Sequence, residues 1–172
     1  MAGLSEHRSL KDIFYRTSPQ SPLSPAQKKT FSGLRYFEEN PVLRFTVPIE
    51  RDPTPQSVHM ATSLGHVAEF IHYGSVRFTV DGQEQVLQLY QGEGQDELFL
   101  PFMDGTTGVE TYGAGRYLDV TERLDGTVLL DFNNAYNPYC ALDPTKWSCP
   151  LPPQENRLTV RIEAGEKKFL ED

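Results

Sequence analysis

From Val42 onward, apolar and polar residues alternate: Leu43, Phe45, Val47 and Ile49 are separated by more polar neighbours. A period of two puts such residues on one face of a pleated strand, so a half-buried strand is predicted there. The runs 76–80 and 83–90 flank Asp81-Gly82. Asp-Gly accepts the positive φ angles of a type I′ turn, and a hairpin is predicted. Further strands are predicted over 67–73, 98–102, 112–120, 128–132 and 158–163. Many short strands with frequent turns predict a mainly β, antiparallel sandwich, roll or barrel-like single domain.

The start of the chain has a different period. Leu10, Ile13 and Phe14 fall at i, i+3 and i+4, which predicts a short helix with one apolar face. The run Ser18-Pro19-Gln20-Ser21-Pro22-Leu23 breaks it. Ser24-Pro25-Ala26-Gln27 then reads as a capping box, with Ser24 as N-cap and Pro25 at N1, and Gly33 is expected to end this second helix. The chain therefore divides into a helical N-terminal arm, 1–33, and an antiparallel β domain, 34–172. Within that domain, residues 133–156 form a long loop rich in Asn and Pro. Tyr136, Tyr139 and Trp147 give this loop packing material, and ordered loops of such length commonly carry function.

Composition narrows the classes. A chain of 172 residues suits one domain with its own core. Residues 1–30 hold five Lys/Arg against two Asp/Glu, and the remainder eleven against twenty-two, so a basic arm of +3 precedes a body of −11. An acidic body without a basic stripe repels phosphate backbones, and no nucleic-acid partner is expected. No run approaches the roughly twenty apolar residues of a spanning helix, and the opening residues have no apolar h-region. A cytoplasmic protein with no membrane association is the expectation. Two cysteines, Cys140 and Cys149, are too few for a disulfide scaffold.

Three ordered motifs suggest a family. They are Leu98-Phe99-Leu100-Pro101-Phe102, then Glu110-Thr111-Tyr112-Gly113-Ala114-Gly115-Arg116-Tyr117-Leu118, then Leu130-Asp131-Phe132-Asn133-Asn134-Ala135-Tyr136-Asn137-Pro138-Tyr139-Cys140. With the closing segment Cys149-Pro150-Leu151-Pro152-Pro153-Gln154-Glu155-Asn156-Arg157-Leu158, they resemble the bacterial and archaeal family called domain of unknown function 1684. The resemblance covers nearly the whole chain and implies one module. It implies no activity, substrate or catalytic residue. Ala114 stands where that family commonly has Gly.

Two polar constellations could carry chemistry. The first gathers Asp104, Thr107, Glu110, Tyr112 and Arg116 around a Gly-rich turn. Strand alternation would put Glu110, Tyr112 and Arg116 on one face, where they could hold a zwitterionic or carboxylate ligand, or form a structural ion pair. The second gathers Asp131, Asn133, Asn134, Tyr136, Asn137 and Tyr139 at the entry to the long loop. Asp131 could serve there as general base or metal ligand with Asn133 and Tyr136 around a bound group, or these side chains could simply cap irregular backbone. Cys140 and Cys149 are either free thiols, a disulfide, or half of a metal site that His59, His66 or His72 would have to complete.

Nucleophile elbows, phosphate loops and dinucleotide fingerprints do not occur in the sequence. The leading expectation is a small-molecule-binding β module whose aromatic pocket is closed by loop 133–156, with Glu110, Tyr112, Arg116, Asp131, Asn133 and Tyr136 as polar contacts. The alternatives are an enzyme using Asp131 or Glu110 for proton transfer, with a divalent metal as an option, and a structural or interaction domain. The sequence specifies no cofactor and no oligomeric state.

Overall fold

The computed structural model describes residues 3–169. Helix α1 (Leu4–Thr17) and the short α2 (Pro25–Thr30) come first. The strands follow: β1 (Arg44–Pro48), β2 (Glu50–Arg51), β3 (Ser57–Ala61), β4 (Val67–Val80), β5 (Gln83–Gln91), β6 (Leu98–Phe102), β7 (Arg116–Val120) and β8 (Thr127–Asp131). All pairings between them are antiparallel. The larger sheet runs β2-β4-β5-β6-β7, with β3 on the first half of β4, and the smaller sheet pairs β1 with β8. No ladder joins the sheets among the described residues, so the arrangement is open rather than a closed barrel.

The alternation predicted from the sequence builds the core between these sheets. Val76, Phe78 and Val80 of β4, Leu87 and Leu89 of β5, and Leu98, Leu100 and Phe102 of β6 pack against Val128 and Leu130 of β8 and against Phe132. The Asp81-Gly82 hairpin forms as its turn chemistry requires, with φ of 51° and 76° at those residues. The capping box of α2 also forms: Gln27 N–H donates to Ser24 Oγ at 3.1 Å, and Ser24 N–H to Gln27 Oε1 at 2.9 Å. That helix ends at Thr30, before Gly33.

Three segments differ from their sequence pattern. The stretches 67–73 and 76–80 are one strand, continued through a register shift between His72 and Gly74. A Cβ at position 74 would collide with the Glu50 carbonyl of β2, so the bulge needs glycine for close approach. The strand expected over 112–120 starts only at Arg116, because residues 104–115 curl back on the Thr106 carbonyl, which accepts from the amides of Val109, Glu110 and Thr111. Finally, 158–163 buries Leu158, Val160 and Ile162 alternately, yet it bends at Thr159 and Val160 and forms no strand ladder. Its backbone bonds are the isolated ones from Leu158 N–H to Met103 O and from Gly105 N–H to Val160 O.

The arm docks on the body, and not by the face its pattern suggested. Leu10, Ile13 and Phe14 remain exposed, and the buried side chain of α1 is Tyr15, packed with Leu23 and Leu142. Cations add to the contact. The Arg8 guanidinium lies 4.0 Å from the Tyr36 ring centroid, and Lys11 pairs with the buried Glu166 carboxylate. Among the described residues no helix is long and apolar enough to cross a membrane.

Candidate functional site

Strand register decides which side chains leave the core. Phe99 of β6 sits opposite Asp119 of β7, and Leu100 opposite Leu118. Leu98, Leu100, Leu118 and Val120 therefore point into the core, while Phe99, Tyr117 and Asp119 share the other face. That second face is also covered. Phe70 stacks on Phe99 with centroids 5.3 Å apart, Phe99 meets Tyr117 edge-on at 4.7 Å, and Tyr117 meets Tyr136 edge-on at 5.8 Å. This aromatic row floors a cleft of about 770 Å³. Its walls are α1, through His7, Lys11 and Phe14, and the long loop, through Asn137, Tyr139 and Trp147, the last two in edge contact at 5.2 Å.

The polar groups of the cleft are few and unevenly satisfied. The Tyr136 hydroxyl donates to Asp119 Oδ2 at 2.7 Å. Burial, and then the Asp119 charge, push that phenol well above its ordinary pKa. Lys11 is neutralised by Glu166, which also accepts the Asn137 amide at 3.0 Å, so one carboxylate ties helix, tail and loop together. Of the six buried side-chain atoms without a hydrogen-bond partner among the described residues, two, Asn137 Oδ1 and Trp147 Nε1, belong to residues that line the cleft. Each such orphan costs on the order of 1–3 kcal/mol unless a bound group pairs with it.

The six expected contact residues are dispersed. Tyr136 lies on the cleft. Asp131 lies on a second, adjoining cavity of about 610 Å³ that shares His7, Asp119 and Tyr136 with the first. There its Oδ2 accepts from Arg44 Nε at 3.0 Å, and its Oδ1 from the Asn133 amide at 3.0 Å. Asn133 is enclosed and clips Asn40 by both backbone groups, at 2.7 and 2.9 Å. Arg116 has 0% exposure and faces the core: its guanidinium donates to the Ala164, Glu166 and Ile162 carbonyls and pairs with Asp104 at 3.4 Å. Glu110 pairs instead with Arg161, and Tyr112 donates to Cys140 Sγ at 3.5 Å. The turn at Tyr112–Gly115 interrupts the alternation that would have aligned Glu110, Tyr112 and Arg116.

Cys140 and Cys149 are free and buried beside Tyr117, Tyr112 and Trp147. As a hydrogen-bonded pair they release their first proton more readily than an ordinary thiol. The Cys149 thiol and the hydroxyls of Tyr112 and Ser63 support charge on Cys140, against the opposing cost of burial. The histidines do not join them. His72 lies between Asp52 and Gln88, at 2.7 Å from each, and His66 Nδ1 contacts Ser148 Oγ at 3.0 Å. Among the described residues no group of three or more His, Cys, Asp or Glu could hold a metal ion.

The floor of the cleft was not singled out in the sequence. Its signal is β6 itself: Leu-Phe-Leu-Pro-Phe has no polar alternation, as in a strand covered on both faces. A family model described as "Protein of unknown function (DUF1684)" matches residues 29–167. The chain belongs to this family. It is also similar to a solved structure, the solution NMR structure of the uncharacterized protein from gene locus rrnAC0354 of Haloarcula marismortui. The two are 36% identical with a TM-score of 0.76, over 98% of this chain and 94% of the other. No curated protein matches this DUF1684 chain.

Proposed function

We propose that this DUF1684 chain is a cytoplasmic small-molecule-binding module, and that its ligand lies in the cleft between α1, β6–β7 and loop 133–156. The observation that carries this reading is a continuous aromatic floor in a cleft of about 770 Å³ whose lining is mostly apolar and whose few polar groups include Lys11, Asp119 and the Tyr136 hydroxyl. Apolar walls with a few fixed polar groups are what small organic ligands require. The size and chemistry favour a planar, largely apolar molecule. Asp131 and Glu110 are each held by an arginine, which favours binding over acid–base catalysis. Two free thiols suit a reducing compartment.

Trp147 is the chain's single tryptophan, so its fluorescence reports on the cleft. Titration with a panel of planar heteroaromatic compounds is expected to give saturable quenching by some of them. Phe70→Ala removes part of the floor and is expected to raise Kd about tenfold or more, as truncation of an aromatic anchor does. Quenching that is unchanged in Phe70→Ala, or a panel without a saturable quencher, sinks the reading.

A further inference from the structure

The binding reading leaves the cysteine pair unused. The two thiols are hydrogen-bonded to each other within one buried cluster, the Cys140 amide N–H donates to Cys149 Sγ at 3.3 Å, and the Tyr112 hydroxyl donates to Cys140 Sγ at 3.5 Å. Their access differs. Cys149 is 8% exposed and forms part of the cleft wall, whereas Cys140 is 1% exposed and does not line the cleft. Cys149 is also fixed from the far side, since its amide donates to Ser63 Oγ at 3.1 Å and its carbonyl accepts from the Ser63 amide at 2.9 Å. One cysteine thus lines the cleft, and a second stands behind it with donors that stabilise negative charge.

We propose that Cys149 and Cys140 form a thiol–disulfide exchange site whose substrate is a low-molecular-weight disulfide entering through the cleft. The pair first loses one proton to solvent and its charge rests on Cys140, which then takes the proton of Cys149 as the more accessible sulfur reacts. The Cys149 thiolate attacks one sulfur of the small disulfide, its S–S bond breaks, and the first small thiolate leaves and takes up a proton. Cys140 then loses its proton and attacks the Cys149 sulfur of the mixed disulfide, expelling the second small thiolate, which is protonated in turn. The protein gives up two electrons and two protons, and one small disulfide becomes two thiols. Trp147 lies inside the ring this closes, so the wall of the cleft is fixed by oxidation. The proposal stands on the thiols and their access, and does not require that the cleft hold a reversible ligand.

The test uses the reduced full chain and 2-hydroxyethyl disulfide at neutral pH, read by intact mass under non-reducing conditions. Wild type is expected to lose the mass of two hydrogens and to keep no adduct. Cys140→Ser is expected to retain one hydroxyethylthio group on Cys149, and Cys149→Ser to react at least about tenfold more slowly, its remaining sulfur being enclosed. If either variant fails to fold, the wild-type time course, quenched with iodoacetamide and mapped by peptide, decides: the transient mixed disulfide is expected on Cys149. A wild type that stays unmodified, that keeps adducts on both sulfurs, or that reacts first at Cys140 overturns the proposal.

Discussion

The two faces of β7 carry polar groups of much the same kind and treat them differently. On the core side, Arg116 is surrounded by three backbone carbonyls and Asp104, and Asp104 also accepts the amides of Ile162 at 2.6 Å and Thr106 at 3.2 Å. Of that guanidinium only Nε lacks a partner among the described residues. On the opposite side, Asp119 accepts one bond, from Tyr136, and stays exposed, while Asn137 Oδ1 and Trp147 Nε1 nearby have no partner. Residue type does not separate the two clusters; the number of bonds each group makes does. A closed set of hydrogen bonds holds backbone in place, and an open one beside a cavity has capacity left for another molecule.

The sharpest way to break this contrast is Arg116→Met. Removing the guanidinium leaves Asp104 charged and buried and frees three carbonyls of the tail, at an expected cost of about 3–5 kcal/mol. Urea denaturation measures it, and a loss under about 1 kcal/mol would show that the core-side cluster is not a structural knot. Asn133→Ala comes next. It strands both backbone groups of Asn40, and an expected cost of about 1–3 kcal/mol follows from two half-buried bonds left unmade. Quenching of Trp147 by a cleft ligand is expected to be unchanged in the folded Asn133→Ala protein, because Asn133 does not line the cleft.

How far the sequence reaches depends on the range of each interaction. The Asp81-Gly82 turn and the Ser24–Gln27 capping box are decided within four residues, and both are legible. The alternation of Leu158, Val160 and Ile162 is equally legible as burial, but the strand it suggests finds no neighbouring strand. Its partners are the Asp104 carboxylate, the Arg116 guanidinium and the 103–105 backbone. The same holds for the site. The aromatics and the long loop were visible as ingredients, and Tyr136 was among the expected contacts. The cleft itself joins α1, the first half of β4, β7 and loop 133–156, and no local pattern shows which of their faces meet. Arg116 and Asn133 resemble ligand contacts in the sequence because a residue type that binds a carboxylate or an amide in a ligand binds the same groups in backbone.

The smallest effect expected is that of Tyr136→Phe, on the open side of the comparison. It removes one bond to an exposed carboxylate that water can replace, and at neutral pH the cost is expected to stay within about 1 kcal/mol. Its pH dependence is more telling. The folded protein holds the Tyr136 phenol above its ordinary pKa, so the stabilisation linked to its proton is fully present below about pH 10 and is lost as the pH rises further. The variant has no such proton to lose. Urea denaturation at pH about 8 and about 11 is therefore expected to show the wild type declining more steeply than Tyr136→Phe, so that the gap between them narrows. Parallel declines would mean that Tyr136 titrates as a solvated phenol, and that the cleft wall it forms is more open to water than its packing against Tyr117 implies.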